Sequence, residues 1–406
     1  MPTVVLAGTL DTKGHEYAFL RDRVREHGVD VLLVDVGVYD PQVEPDISRE
    51  EVARAAGEDV AALASAGDRG EATAAMGRGA AALLTTLHRQ GRLDGVLGVG
   101  GSGGSSIVTT AMRALPVGVP KLMVSTLASG DTRPYVGAVD VTMMYSVVDI
   151  AGINSISARI LTNAAGAIAG MVQGAVPPLD AKPLIGATMF GVTTPGVTRA
   201  RQRLEELGYE VLVFHATGTG GQSMETLVTG GYLAGVLDLT TTELADELVG
   251  GVLSAGPDRL EAAGAAGVPQ VVSLGALDMV NFGPRETVPA RFADRNLYVH
   301  NPTVTLMRTT PAECRELGRW IGSKLAAATG PTALFVPSKG VSMIAVDGQP
   351  FHDPSADAAL LEGLRETLGD VEVHELDVDV NDERFAVAMA DRLHHMITES
   401  TAQQGA

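Results

Sequence analysis

The chain has a single cysteine, Cys314, among its 406 residues. An intrachain disulfide is therefore impossible, which suits a reducing compartment. Cys314 falls in a helical pattern at Pro311–Lys324 and reads as a small apolar helix residue. Aromatic residues are only 4% of the sequence, which argues against an aromatic-rich β-sandwich. Positive charge is scarce: 30 Lys+Arg against 49 Asp+Glu give a formal charge of −19, and no basic run occurs. Nucleic acid and anionic membranes are not expected as partners, because their binders carry a basic face. An anionic ligand would have to be drawn in by local dipoles and backbone donors against the global field. No apolar run reaches the ~18–20 residues of a membrane span. Met1–Thr9 lacks the charged, apolar, small order of a secretory signal, so a cytoplasmic location is expected. No Cys/His cluster has zinc spacing, and His15-Glu16 does not extend into a His-Glu-x-x-His helix.

What the sequence does have is 45% hydrophobic residues and 48 glycines. Short β-rich runs alternate with longer amphipathic stretches: Thr3–Leu6, Val31–Val36, Gly95–Val99, Lys121–Ser125 and Val139–Tyr145 as strands, with helical spacing in Lys13–His27, Glu50–Arg89 (broken near Gly67-Asp68), Ser105–Leu115 and Ile153–Gln173. Strands separated by helices predict an α/β fold with doubly wound parallel sheets. Pro177-Pro178-Leu179-Asp180 interrupts the pattern and reads as a linker, after which it restarts at Leu184–Thr188. Two domains are expected, 1–179 and 180–406. The halves look like weak copies. Val31–Val34 matches Val211–Phe214, Asp94–Leu97 matches Ala234–Leu237, and Pro120–Ser125 matches Pro269–Ser273. Any two wound sheets could share that much.

In open α/β sheets ligands bind outside the carboxyl ends of the strands. After the first strand come Gly8, Thr9, Leu10, Asp11, Thr12 and Lys13. Gly8 allows a tight turn, and Asp11 or Thr12 could cap the next helix. Lys13 then stands in the first helical turn, the wrong end for a cation, which suggests an anion nearby; an ordinary cap with a solvated lysine is the plain alternative. After the third strand, Gly98–Gly104 holds five glycines in seven positions, followed by Ser105, Ser106 and a helix. Glycines that admit close approach, and a helix start that presents free N–H groups, make Gly100, Gly101, Ser102, Gly103, Gly104, Ser105 and Ser106 chemically a phosphate cradle. It is not a Walker A loop, since Gly-Lys-Ser/Thr is absent. Gly98, Gly100 and Gly103 fit a dinucleotide fingerprint without the acidic residue about 20 positions on, although Asp35 could suit a ribose. Gly100–Gly104 also fits the Gly-x-Ser-x-Gly elbow, with Ser102 as nucleophile. A merely flexible loop is the remaining alternative. Ser129, Gly130, Asp140 and Asp149 could line a nucleotide or hold Mg²⁺.

The second half has polar turns at His215–Gly221, at Thr240-Thr241-Thr242-Glu243 (also a good capping box) and at Lys339–Ser342. Leu277–Thr310 shows little regular pattern and carries Asp278, Asn281, His300 and Arg308; a long irregular stretch inside a compact domain is often functional.

Gly8–Gly14, Gly100–Ser105, Tyr145–Gly152, Met189–Pro195, His215–Gly221, Leu237–Ala245, Gly275–Phe282 and His300-Asn301-Pro302 together resemble the Tm-one-like ATP-binding family, named for the tomato mosaic virus resistance protein and including uncharacterised bacterial members. The resemblance covers nearly the whole chain. It implies two Rossmann-like domains, ATP in the N-terminal one, and a homodimer or larger homo-oligomer. The plant relative carries an additional TIM-barrel domain, so here a barrel is expected, if at all, as a separate partner. ATP, with Mg²⁺, is then expected on Gly8, Thr9, Asp11, Thr12, Lys13, Gly100–Ser106, Ser129 and Gly130. A small substrate, for example a carboxylate, is expected between or near the two domains, toward Thr217, Gly218, Gly220, Thr240, Thr241, Thr242 and Asn281. His215, Asp278, His300 and Arg308 are the catalytic candidates. The expected function is an ATP-dependent enzyme activating that substrate; the alternative is a non-catalytic nucleotide-binding scaffold or sensor.

Overall fold

The computed structural model describes residues 1–177 and 181–404, so 178–180 of the expected linker lie outside the described residues. The chain divides into two compact units, Met1–Pro178 and Leu179–Ala406. Both are Rossmann-like α/β units. No helix among the described residues is long and apolar enough to cross a membrane.

The first unit is built on β1 (Thr3–Gly8), β2 (Asp30–Asp35), β3 (Gly95–Gly100), β4 (Lys121–Ser125) and β5 (Thr142–Tyr145). They form one parallel sheet in the order β2-β1-β3-β4-β5. Side chains of a strand alternate between faces, and β1 shows the consequence. Val5 and Ala7 join one core with Met76, Leu84 and Val108, while Val4 and Leu6 join the other with Leu20, Val24 and Ile168. Helices Arg69–Arg89 and Ser102–Arg113 therefore cover one face, and helices Leu10–Glu26 and Ser155–Gln173 the other.

The chain leaves β1 toward β2 and returns to β3 on the opposite side, so the strand order reverses between β1 and β3. Their pairing runs from Val4↔Gly95 to Ala7↔Gly98. Beyond that point the Tyr17 hydroxyl bridges the diverging strands. It donates to Ala7 O at 2.6 Å, lies 3.0 Å from Val99 O, and accepts the Val99 N–H at 2.7 Å. Burial drives the Tyr17 phenol far above its ordinary pKa, so it remains a donor. Gly8 is glycine because a Cβ there would sit 1.9 Å from Tyr17 Cζ.

The second unit contains β6 (Leu184–Met189), β7 (Glu210–His215), β8 (Leu233–Thr240), β9 (Gln270–Gly275), β10 (Met279–Phe282), β11 (Leu297–Asn301), β12 (Val304–Arg308), β13 (Thr332–Pro337) and β14 (Glu372–Leu376). The parallel sheet runs β14-β13-β9-β8-β6-β7. Its first four strands wind as β1–β4 do, and the three matched sequence pairs fall in the second, third and fourth strand of each unit. The stretch Leu277–Thr310, expected to be irregular, instead forms an antiparallel sheet in the order β10-β12-β11. These strands are four or five residues long, and all four residues of β10 are buried, so no period-two alternation marks it.

Replacing Tyr17 with Phe leaves the Val99 N–H and Ala7 O facing a ring edge. A buried unsatisfied polar group costs about 1–3 kcal/mol. Tyr17→Phe is expected to lower the first unit's unfolding free energy by that order, read as a lower urea midpoint, and to leave the second unit's transition in place. Unchanged unfolding of the first unit would show that the hydroxyl is dispensable.

Candidate functional site

A cavity of about 500 Å³ opens at the carboxyl ends of β1, β2 and β3, where the strand order reverses. This is the crevice in which doubly wound sheets take their ligands. Thr9, Asp11, Thr12, Lys13, Gly100, Gly101, Ser102, Gly103 and Gly104 all line it, so two turns some 90 residues apart in sequence meet on one side.

The first turn is held by two residues from outside it, Asp35 and Gln42. Thr9 occupies the cap position of helix Leu10–Glu26 without a side-chain bond to it, so neither Asp11 nor Thr12 is the cap residue. The cap is supplied by Asp35 at the end of β2, whose Oδ1 accepts the N–H groups of Leu10 at 3.1 Å and Gly37 at 2.9 Å. Gln42 then takes the carbonyls of Leu10 and Asp11, through its backbone N–H at 2.9 Å and its side-chain Nε2 at 2.8 Å. That wedge accounts for the non-helical Lys13 (φ −127°, ψ 17°) inside the helix. Burial pushes the Asp35 carboxyl above its usual range, and the neighbouring Asp11 carboxylate pushes the same way. Asp11 Oδ1 and Asp35 Oδ2 are buried with no hydrogen-bonding partner among the described residues.

The glycine-rich segment is less of a loop than the sequence suggested. Gly98 and Gly100 belong to β3, Gly101 is the cap, and the helix starts at Ser102. No side chain caps it, and its first intrahelical N–H bond is Ser105 to Gly101 O at 2.9 Å. The N–H groups of Ser102, Gly103 and Gly104 thus have no intrahelical partner. Two glycines are demanded by packing: a Cβ on Gly98 would lie 2.6 Å from Val108 Cγ1, and one on Gly100 3.1 Å from Gly104 Cα. At Gly101, Gly103 and Gly104 nothing lies nearer than 3.4 Å, so no neighbour requires their bareness. They leave the helix start open to a ligand.

Five expected ligand residues stand elsewhere. Gly8 lies under the Tyr17 ring. Ser105 is buried and its Oγ faces Ser125 Oγ at 2.7 Å, because with the helix starting at 102 its side chain turns to the core. Ser106, Ser129 and Gly130 do not line the cavity. The sequence reading missed the opposite wall. Leu63, Ala72, Met76, Ile107, Val36 and Val38 make it apolar, and Tyr39, Thr73 and Arg69 border it. Arg69 had a signal: like Lys13, it is a cation in the first turn of a helix.

In the second unit the expected substrate turns are built into the protein. Arg259, fully buried, binds Asp238 at 2.5 and 2.8 Å, Glu243 at 2.7 Å and Glu225 at 3.2 Å. Glu243 Oε1 in turn accepts the N–H groups of Gly218 (2.7 Å) and Gly221 (3.0 Å), which fixes the turn containing Thr217, Gly218 and Gly220. A Cβ on Gly220 would lie 1.9 Å from His215 O. Thr240, Thr241 and Thr242 are completely buried; Thr240 Oγ1 meets Thr193 Oγ1 at 2.7 Å, and Thr241 Oγ1 donates to Ser273 O. Asn281 donates from its backbone and side chain to Asp246, whose carboxyl burial pushes up to about 7.

The four catalytic candidates do not converge. Asp278 and Arg308 are both buried and interact electrostatically. Arg308 is held by Phe351 O, Thr309 Oγ1 and Asp357, each at 2.8 Å. His215 is exposed and edge-on to Phe190, and His300 is exposed on β11. A second cavity of about 710 Å³, at the ends of β9 and β13, is bordered by Lys339, His352 and Asp357 and contains none of the expected substrate residues.

Two family models match the chain: the N-terminal domain of an uncharacterised protein family, UPF0261, over residues 2–177, and the C-terminal domain of the same family over residues 182–397. A UPF0261 protein of Clostridium tetani is 55% identical over 97% of this chain and 98% of its own length. Another from Mesorhizobium japonicum is 49% identical over 96% and 98%. The ToMV resistance protein Tm-1(GCR237) of Solanum lycopersicum is 41% identical over 96% of this chain but only 55% of its own length. Among solved structures, a Streptomyces glycosyltransferase complexed with thymidine diphosphate covers 67% of this chain and 82% of its own, at 14% identity and a TM-score of 0.20, and carries no argument.

Asp278 supplies a test of the second unit's electrostatics. Burial raises its carboxyl to about 6, against the pull of Arg308 and the Ser342 hydroxyl. The folded state therefore holds a proton that the unfolded chain releases near pH 4, and stability falls as pH rises from about 4 to about 6. Asp278→Asn removes this dependence. Relative to the parent its stability is expected to gain on the order of 3 kcal/mol across that interval, at about 1.4 kcal/mol per pH unit. Denaturant titrations at pH 4, 5, 6 and 7 measure it, and parallel curves for the two proteins would contradict it.

Proposed function

The chain belongs to the uncharacterised protein family UPF0261, and from that premise and the first unit's cavity we propose that it is an ATP-binding protein acting as an ATP-dependent enzyme on a small substrate. The single observation that carries the reading is the uncapped helix start at Ser102–Gly104, opening with Lys13 onto a cavity at the strand-order reversal. Free N–H groups at a helix N-terminus and a cation in the first turn of a second helix are both unfavourable until an anion arrives. The apolar wall of Leu63, Ala72, Met76 and Ile107 suits a base rather than an inorganic ion alone. The family resemblance is what selects ATP among nucleotides.

Asp11 fits a magnesium ion carried in with the phosphates, because its buried Oδ1 lacks a partner among the described residues. No group of three or more metal-binding side chains exists among the described residues, so the phosphates themselves would complete the coordination. Bound there, Mg²⁺ would neutralise phosphate charge. The chain's own contribution is positioning: Lys13 and the Ser102–Gly104 N–H groups orient the phosphates. Activation of a carboxylate by phosphoryl or adenylyl transfer needs little more from the protein. Homo-oligomer formation, and assembly with a separate TIM-barrel protein, belong to the same proposal.

A second reading is favoured by one specific observation. Thr217, Gly218, Thr240–Thr242 and Asn281 are engaged in internal bonds, and His215, Asp278, His300 and Arg308 do not form one constellation. A nucleotide-held scaffold or sensor needs no such constellation.

Calorimetric titration with ATP and Mg²⁺, followed by assays of phosphate and AMP release with candidate carboxylates, separates the two. Binding with turnover supports the enzyme, binding without turnover the scaffold, and no binding removes both. Lys13→Ala is expected to weaken ATP about tenfold or more while leaving adenosine unchanged, as loss of one charge-assisted contact predicts. Gly103→Val is expected to abolish ATP binding with the melting temperature preserved. Equal losses for ATP and adenosine in Lys13→Ala would remove Lys13 from the phosphate site.

A further inference from the structure

The cavity of the first unit is bordered by two cationic side chains, Lys13 and Arg69, and the proposed nucleotide site so far uses only the first. Arg69 opens helix Arg69–Arg89, directly after Gly67 in the left-handed conformation (φ 67°) and the capping residue Asp68. Its acidic neighbours are engaged elsewhere. Asp68 Oδ1 accepts the N–H groups of Gly70 at 2.9 Å and Glu71 at 3.0 Å. Glu71 is paired with Arg78 at 3.2 Å. Arg69 itself is exposed, and its side chain has no hydrogen bond or ion pair among the described residues, in a chain with 49 acidic side chains against 30 basic ones.

Its position relative to the other helix start is the informative part. A Cβ on Gly103 would meet Arg69 Nη2 at 3.4 Å and nothing nearer. The guanidinium therefore lies against the uncapped first turn of helix Ser102–Arg113. A full positive charge beside the positive end of a helix, with Lys13 on the same cavity, is a repulsive arrangement that an anion between them would reverse. The two cations also arrive from opposite sides of the sheet. Lys13 sits on the helix packed with Leu20 and Val24 against one face, and Arg69 on the helix packed with Met76 and Leu84 against the other. A fork of five N–H donors matches two oxygens of one phosphate, which a lysine cannot do.

We propose that Arg69 is a phosphate-binding, specificity-determining residue of this site, holding together with the Ser102–Gly104 N–H groups a phosphate other than the one on Lys13, so that the site favours a nucleoside di- or triphosphate over a monophosphate. This rests on the nucleotide reading above. It adds a residue that the sequence did not single out.

The test titrates the parent, Arg69→Gln and Arg69→Lys with ATP, ADP, AMP and adenosine in Mg²⁺ by calorimetry, with melting temperatures as the control for folding. Arg69→Gln is expected to lose on the order of 10–100-fold in affinity for ATP and ADP, the effect of removing a charge-assisted contact. AMP and adenosine should hold their parental affinities, and Arg69→Lys should recover some of the loss. Undiminished ATP binding by Arg69→Gln overturns the assignment, and so does a loss shared equally by AMP or adenosine. A parent that binds none of the four removes the nucleotide reading itself. A parent that binds ATP with an indifferent Arg69→Gln removes only the role of Arg69.

Discussion

A doubly wound sheet makes a ligand crevice by letting a pair of adjacent strands diverge, and backbone groups there lose their ladder partners. In the first unit one hydroxyl answers that problem. Tyr17 OH accepts the Val99 N–H and donates to Ala7 O, closing the split between β1 and β3 from below. The consequences spread outward. The ring needs the space a side chain at residue 8 would fill, which fixes Gly8. It also pins helix Leu10–Glu26 to the sheet, so the turn from Thr9 to Lys13 can only rise at the edge of the crevice. There Asp35 and Gln42 hold the turn's own N–H and carbonyl groups, and the interrupted helical path leaves Lys13 at the cavity. The turn at the cavity's edge is thus set by hydrogen bonds within the protein itself.

Much of this could be read in advance, for identifiable reasons. The strands were legible because those of a covered parallel sheet are continuous apolar runs ending in glycine or threonine, as Gly95–Gly100 does. The two turns of the crevice were legible because the strand-end rule points to them. What escaped was everything that depends on where a helix begins. Ser105 looks like a ligand if the helix starts at 105; with the start at Ser102 it faces inward and meets Ser125. The apolar wall and Arg69 escaped because they come from the long crossover between β2 and β3. Its amphipathic pattern shows that it packs, but not that its first turn reaches the glycine segment. The antiparallel strands β10–β12 escaped because strands of four or five residues, the first two of them separated by the 3-10 turns Arg285–Thr287 and Ala290–Phe292, carry too little periodicity.

The two units pose the same problem and solve it differently. Both wind their first four strands in one order, and both place a glycine-rich helix start near the carboxyl end of the sheet. In the second unit the helix start at Thr219 receives a carboxylate from within: Glu243 accepts the N–H groups of Gly218 and Gly221, and Arg259 balances Glu243 from behind. Asp238 and Glu225 complete a cluster around the buried guanidinium. Such a cluster is a poor source of net stability, because desolvating its charges offsets their attraction. It is a good way to fix a turn in one conformation. In the first unit the helix start at Ser102 has neither a carboxylate nor a side-chain cap among the described residues, and the nearby cations Lys13 and Arg69 add to its positive field. The second unit satisfies its helix start from within and the first does not, a difference that the proposed anionic ligand accounts for. The two helix starts stand on different crossovers, after the third strand in the first unit and after the second strand in the second, and the contrast between them supports an anionic ligand alongside the glycine motif.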